Sequence, residues 1–255
     1  MESKKVKEQY NSMSFFYDVL NASFDLDKFA NDFIKEHKKL LNSLPENAKI
    51  LDSSSGKGIQ TVALKKEGYD VIATDISKEM VKLTKQYLKD NNLTVPVKRL
   101  AWNELPTEFD DIFDLVFCWG NSISHSMSKE EMLENLTSFY KITKDGGKVV
   151  IHTRNWEKRL KENKRYETLP IRKYNNKKYL PIYIWNLSDF NKRSSVEILF
   201  IEIKKDESTT FNSFKLDFVP FSYKDLLNRL KKTGFKIYYD NYDSNNNFYY
   251  VVAEK

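Results

Sequence analysis

The 255-residue chain has one cysteine, Cys118. No intrachain disulfide can form, and a reducing, cytoplasmic compartment is the simplest expectation. Three histidines and that one cysteine offer no metal-site spacing, so no metal is expected. No apolar run approaches the ~20 residues that a transmembrane helix needs. The opening stretch MESKKVKEQYNS lacks the apolar centre of a secretory signal. There is no internal repeat and no low-complexity tail. What is present is enough for a core: 40% hydrophobic residues, 14% of the chain aromatic, which excludes global disorder. The length suits one domain, or one domain with a substantial insertion.

Lys and Arg number 42 against 36 Asp and Glu, a net +6. The excess is local. Residues 158–178 hold nine basic and two acidic side chains, which leaves the remainder close to neutral. Such a segment either attracts an acidic substrate or a nucleic-acid backbone, or is simply a solvated face.

The first 45 residues read as helical, with Phe29, Phe33, Leu40 and Leu44 at near-helical spacing and Pro45 as the stop. A strand–helix alternation follows. Strands are predicted at 49–52, 69–75, 95–101, 113–119 and 148–153. Helices lie between them, one capped by Ser77 and another opened by the capping box Ser128 to Glu131. Alternation of this kind implies right-handed crossovers and a mostly parallel sheet. After Arg154 it breaks. Runs at 179–187, 195–204 and 211–218 read as an antiparallel insert. A helix starting at Ser222 and a terminal hairpin, 235–242 with 248–253, then close the sheet with an antiparallel strand. The expected architecture is α/β: a doubly wound, mostly parallel seven-stranded sheet with an N-terminal helical lid and an antiparallel β insert. The units are 1–45 as lid, 46–155 with 220–255 as the sheet domain, and 156–219 as the insert.

In an open α/β sheet, ligands bind beyond the carboxyl ends of the strands, near the switch in strand order. The first strand ends at Asp52, and the loop SSSGKG leads into a helix; Gly56 and Gly58 permit close backbone approach to a ligand. The second strand ends at Asp75, where a carboxylate can accept both hydroxyls of a ribose. Together these describe a nucleoside-cofactor site, against the plainer reading of a tight turn and a helix-capping Asp. A pyrophosphate binder would want G-x-G-x-x-G, which this loop does not supply.

On these residues the chain resembles the class I methyltransferases that use S-adenosylmethionine (SAM). ILDSSSGKG is similar to their first motif, with Ser54 in place of the first glycine, and YDVIATDIS is similar to the second. In the family an acidic residue often follows the third strand; here Ala101 stands at that place, and Trp102 either stacks on an adenine face or anchors the core. The run FCWGNSISH and the later IHTRNW resemble the glycine and glycine/sarcosine N-methyltransferases and relatives that methylate small amines. The resemblance implies a Rossmann-like methyltransferase fold and SAM as cofactor. It also implies cofactor contacts from Asp52, Ser53, Ser54, Gly56, Gly58, Asp75, Ile76, Ala101, Trp102, Cys118 and Trp119. Asn121 and Arg154 would hold a substrate carboxylate, since a guanidinium makes paired charge-assisted bonds and an amide adds a third. For Arg154 the alternative is a surface ion pair at a strand end. Tyr10 aligns with a lid tyrosine; Tyr183 and Tyr223 are further wall candidates. His125 either takes a proton, contacts the cofactor carboxylate, or is structural, as His152 is expected to be. Cys118 lies in an apolar run and reads as a small core residue, not a nucleophile.

The expected reaction is methyl transfer to a small-molecule acceptor, an amine or amino acid, without nucleic acid or membrane. Two alternatives stay open. The basic segment, interleaved with Tyr166, Tyr174 and Tyr179, would suit an RNA methyltransferase, although no N/D-P-P-Y run follows the fourth strand. Ser54 and Ala101 leave room for a domain that binds SAM without chemistry.

Overall fold

The computed structural model describes residues 2–22, 25–110 and 112–255, and for 2–5, 14 and 15 the backbone only. Residues 1, 23 and 24 of the expected lid, and residue 111 in the loop before the fourth strand, lie outside the described residues. In chain order the elements are α1 (Glu2–Asn21), α2 (Leu26–Leu41), β1 (Lys49–Asp52), α3 (Ile59–Lys66), β2 (Asp70–Asp75), α4 (Lys78–Asp90) and β3 (Val97–Arg99). Then come α5 (Leu105–Glu108), β4 (Phe113–Cys118), α6 (Lys129–Ile142), β5 (Thr143–Arg154) and α7 (Trp156–Glu162). The insert holds β6 (Tyr166–Thr168), β7 (Arg172–Tyr174), β8 (Lys177–Asn186), β9 (Ser194–Ile203) and β10 (Thr209–Phe218). The chain closes with α8 (Tyr223–Lys232), β11 (Lys236–Asp240) and β12 (Phe248–Glu254).

Seven strands form one sheet in the order β11-β12-β5-β4-β1-β2-β3. All neighbours are parallel except β12, which runs antiparallel to both β5 and β11. The order reverses between β1 and β4, so the crevice above Asp52 and Cys118 is the place where a ligand meets strand ends and helix N-termini. The two faces alternate along each strand. Val149 and Ile151 bury on one side with Phe139 and Leu226. Val150 buries on the other with Phe33, Phe117 and Val62.

The second sheet is antiparallel, β10-β9-β8-β6, with β7 also paired to β8. The three predicted runs appear as β8, β9 and β10, each starting a residue or two earlier than expected, with β8 and β9 also ending one residue sooner; β6, β7 and α7 carried no sequence signal strong enough to read. Phe16 of α1 packs on Phe200 and Phe214 of this sheet, at ring-centroid distances of 4.5 and 4.9 Å.

Local chemistry explains most of the element boundaries. Ser77 Oγ accepts the Met80 N–H, and Ser128 Oγ accepts the Glu131 N–H at 3.0 Å. The second half of the expected capping box differs: the Glu131 carboxylate reaches past Ser128 to accept the Met127 N–H. Ser222 and Asp225 form the reciprocal pair instead. The helix α6 stops at Ile142, and Asp145, Gly146 and Gly147 lie beyond it. They form a bulged start to β5, with Gly146 at φ +76° and the pairing with β4 slipping between Phe113 and Leu115.

Candidate functional site

The loop after β1 is fixed by bonds in three directions. Ser53 N–H and Oγ–H both donate to Phe117 O, at 2.9 and 2.8 Å, which ties the loop to β4. Thr84 Oγ1 donates to Gly56 O at 2.8 Å and pairs with Ser55 Oγ, which ties it to α4. The Asp75 carboxylate accepts the Gly56 N–H at 3.0 Å and the Ser77 N–H at 2.8 Å. Positive φ angles fall on Gly56 (+53°) and Gly58 (+88°) and not on Ser54. That is why a serine is tolerated where a glycine was expected: only the positions needing left-handed backbone kept glycine.

A cavity of about 920 Å³ opens above the strand ends. Its floor includes Ser53, Ser54, Gly56, Asp75 and Ile76; Ala101, Trp102 and Trp119 form further wall; Tyr10 and Tyr17 of α1 roof it. The Trp102 indole N–H donates to Ser53 O at 2.8 Å, which fixes the plane of the ring, while its edge meets Phe139. Core anchor and cavity wall are thus one residue. Ala101 supplies no carboxylate; its N–H is taken by Glu104 Oε2, and the neighbouring Asn103 lines the cavity instead.

Other expected contacts stand back from this cavity. Asp52 is buried with its carboxylate on Thr61 Oγ1 at 2.6 Å, holding α3 to β1. Gly58 caps α3 where a Cβ would lie 2.9 Å from Thr84 Cγ2, so it serves helix approach. Cys118 is buried, and burial pushes its thiol up to about 12, which matches a core residue and not a nucleophile. Asn121, left-handed at φ +68°, accepts both the Thr153 hydroxyl and the Arg154 N–H on its Oδ1, at 3.0 Å each. It braces the end of β5. Tyr183 and Tyr223 do not line the cavity; Tyr223 donates to Asp240 and stacks on Tyr242.

Arg154 follows at the carboxyl end of β5. Its guanidinium carbon lies 4.7 Å from the Phe248 centroid, 5.1 Å from Trp185 and 5.9 Å from Trp156. No carboxylate pairs with it among the described residues. Desolvation lowers its pKa, and the Arg159 cation adds to the effect.

Burial also pushes the Asp52 and Asp75 carboxyls up to about 6, against the N–H and hydroxyl donors that pull them down. Tyr10 O–H and His125 Nε2 are 2.9 Å apart, and His125 Nδ1 lies 2.6 Å from Asp217 O. A carbonyl only accepts, so Nδ1 carries the proton, Nε2 accepts, and Tyr10 donates. Burial lowers the His125 pKa, consistent with that neutral tautomer. His152 is neutral too, pushed down to about 3 by burial and stacked on Trp119 at 4.1 Å.

Sequence reasoning missed Tyr17, Lys57 and Asn103 in the cavity wall, along with the face of α2 that carries Phe29 and Phe33. Only the i, i+3, i+4 spacing of α2 signalled any of these, and that spacing reads first as core.

The basic segment is partly spent internally. Lys158 Nζ donates to Asn245 O and Asn247 Oδ1, Arg159 is buried against Lys164 O and Glu167, Lys177 pairs with Glu202, and Arg172 is buried. Tyr179 is buried as well, leaving Tyr166 the exposed ring of the three expected to stack. No helix of the described residues is long and apolar enough to cross a membrane, and no group of metal ligands occurs among them.

Residues 50–147 match the family model for a methyltransferase domain. The chain is 28% identical over 109 residues to a glycine/sarcosine N-methyltransferase from Aphanothece halophytica, which covers 43% of this chain and 41% of that protein. It thus spans about two fifths of that relative's length. Among solved structures it is similar to an S-adenosylmethionine-dependent methyltransferase from Clostridium acetobutylicum, with a TM-score of 0.73, 17% identity and coverage of 96% and 98% of the two chains. It is also similar to an SAM-bound amino pentose methyltransferase from Micromonospora echinaspora, with a TM-score of 0.71, 11% identity and coverage of 91% and 93%. At such identities the structures establish the shared fold.

Proposed function

We propose, from the methyltransferase-domain match over residues 50–147 and the similarity to glycine/sarcosine N-methyltransferases, that this chain is a class I S-adenosylmethionine-dependent methyltransferase and that it methylates the nitrogen of a small amine bearing a carboxylate. SAM, when bound, supplies a methyl carbon that the amine lone pair takes while the carbon–sulfur electron pair returns to sulfur and the product nitrogen sheds a proton. The protein's share is alignment and exclusion of water. Asp75 would accept the ribose hydroxyls, the Ser53 to Gly56 backbone would approach the amino-acid end, and Trp102 would cover the adenine. The domain division follows the same reading: 1–45 as lid, 46–155 with 220–255 as the cofactor domain, and 156–219 as the wall that shapes the acceptor site.

The observation that carries the acceptor class is Arg154. A largely desolvated guanidinium, faced by three aromatic rings and with Glu167 and Glu162 acting on it without forming an ion pair among the described residues, is costly unless a ligand completes it. A substrate carboxylate would do so with two parallel bonds. Asn121, through its hold on the Arg154 N–H, sets where the guanidinium starts. Tyr10, whose proton is committed to His125, keeps lone pairs for an amine N–H and can turn the nitrogen lone pair toward the methyl group.

The test is formation of S-adenosylhomocysteine (SAH) from SAM with two acceptor pools, small amines including amino acids and bulk tRNA. Turnover concentrated in carboxylate-bearing amines is expected. Turnover with tRNA alone would overturn the reading and return recognition to the 158–178 segment.

A further inference from the structure

One stretch of the cavity wall is used by neither the cofactor loop nor Tyr10, and Arg154, which does not line the cavity, meets it only at Phe248. On α2, Phe29, Asp32, Phe33 and Glu36 recur at i, i+3, i+4 and i+7, so they share one face, and all four line the cavity. Facing them is a column of three near-parallel rings from the ends of β4, β5 and β12. Trp119 stacks on His152 at 4.1 Å and 15°, and His152 on Phe248 at 5.4 Å and 11°. Phe33 meets Trp119 edge-on at 5.1 Å and joins the two walls. Phe29 and Phe248 remain 46% and 40% exposed. They mark the mouth of the cavity.

Two carboxylates stand at this mouth without an ion-pair partner among the described residues, and the nearest cation on the ring column is Arg154, over Phe248. Asp32 makes no hydrogen bond or ion pair among the described residues. Glu36 accepts one hydrogen bond, from Asn241, and has no cationic partner there; desolvation raises its carboxyl. The ring column contributes no charge because His152 is neutral. Arg154 touches Phe248, but its guanidinium also lies against Trp156 and Trp185 of the other core. Aromatic faces beside unpaired carboxylates are the surroundings that a cation prefers.

We propose that this mouth seats a second cationic group of the acceptor, an ammonium or guanidinium held against the ring column between Asp32 and Glu36. Resting on the amine-methylation reading, this makes the acceptor a basic amino acid or a close analogue: a carboxylate for Arg154, the reacting nitrogen, and a positive charge some carbons away.

The test uses L-lysine and L-norleucine, which share the carboxylate, the α-nitrogen and the length of the side chain and differ in the terminal charge. Each is titrated calorimetrically into the full chain saturated with SAH, for the parent protein and for Asp32→Asn/Glu36→Gln. Lysine is expected to bind at least fivefold tighter than norleucine, and the double variant to erase that advantage while SAH affinity holds. Equal binding of the two amino acids, or an advantage that survives in the variant, overturns the proposal. Loss of SAH affinity in the variant also overturns it, because the carboxylates would then serve the cofactor's own ammonium. Methyl transfer from SAM, measured in parallel samples without SAH, separates the two readings. Lysine preference without any methylation sinks amine methylation and leaves the mouth standing; methylation without lysine preference sinks the mouth alone.

Discussion

The Asp75 carboxylate holds the glycine loop from below, its Oδ2 accepting the Gly56 N–H at 3.0 Å while Oδ1 accepts the Ser77 N–H at 2.8 Å. One side chain thus shapes the loop, caps the turn into α4 and faces the cavity where a ribose would lie. Both oxygens are needed as acceptors, so the anion is the working form. With burial pushing this carboxyl up to about 6, SAH affinity should fall as pH drops below that value, by about tenfold at pH 5 relative to pH 7.5. Asp75→Ala should weaken SAH at pH 7.5 by at least tenfold and flatten the profile. Unchanged affinity would place the ribose elsewhere. For folding the sign is opposite: the raised carboxyl favours the folded state at low pH, and that contribution is lost as pH rises through about 6.

Lys57 and Asp18 form a latch between the loop and α1. Their charged atoms are 2.6 Å apart, with side chains only 20% and 17% exposed. Tyr17, one residue earlier on α1, lies over Gly56. A half-buried pair of this kind contributes roughly 1 kcal/mol, which is about a fivefold change in a rate it controls. Asp18→Asn should therefore speed SAH dissociation several-fold in a stopped-flow chase, with little change in thermal stability. An unchanged rate would mean that α1 does not gate the cavity.

Arg154→Leu should act on the acceptor and spare the cofactor. Removing a charge-assisted bidentate contact costs about 1.5–3 kcal/mol, so KM for a carboxylate-bearing amine should rise at least tenfold while the SAH dissociation constant stays within twofold. Arg154→Lys should recover only part, because a point charge does not reproduce the fork. Equal loss of acceptor and SAH binding would mark Arg154 as structural, through its stacking on Trp185 and Phe248.

The sheet was legible because its strands are short apolar runs punctuated by Asp52, Asp75 and the glycines, and period-two patterning survives translation into a buried face. The roles of individual loop residues were less legible. Asp52 and Gly58 fit a motif by spacing, yet the Asp52 carboxylate turns to Thr61 and the bare Cα of Gly58 lets Thr84 approach, both inside the fold. Asn121 fits a substrate motif, but the left-handed backbone aims its oxygen at β5. Such directions depend on a few degrees of φ and on partners thirty residues away, neither of which a local pattern encodes. The α2 stripe declares a helix of the lid by its spacing, and Phe33 is buried there. What periodicity could not say is that Phe29, Asp32 and Glu36, on the same face, continue into a cavity mouth. The short β6 and β7 strands have too few residues for alternation to declare itself.

His37 offers a stability test that leaves the strand-end loops intact. It is fully buried among Phe33, Phe117, Trp119 and Tyr250, and its Nδ1–H donates to Phe33 O at 3.0 Å. Its Nε2 has no hydrogen-bond partner among the described residues. Burial pushes its pKa down to about 4, so the folded chain holds it neutral where the unfolded chain binds a proton. The lowered value means that stability is intact above about 6.5 and drains away as pH falls toward 4. At pH 5 the mismatch with an ordinary histidine is worth about 2 kcal/mol, and at pH 7.5 almost nothing. His37→Phe keeps a planar ring of similar size, removes the orphan nitrogen and removes the titration. The variant should therefore be more stable than the parent at pH 5 by about 2 kcal/mol, with a much smaller difference at pH 7.5, as read by urea denaturation at the two pH values. A stabilisation equal at both would locate the benefit in packing alone. Destabilisation at both would mean that the Phe33 O bond outweighs the cost of the buried imidazole.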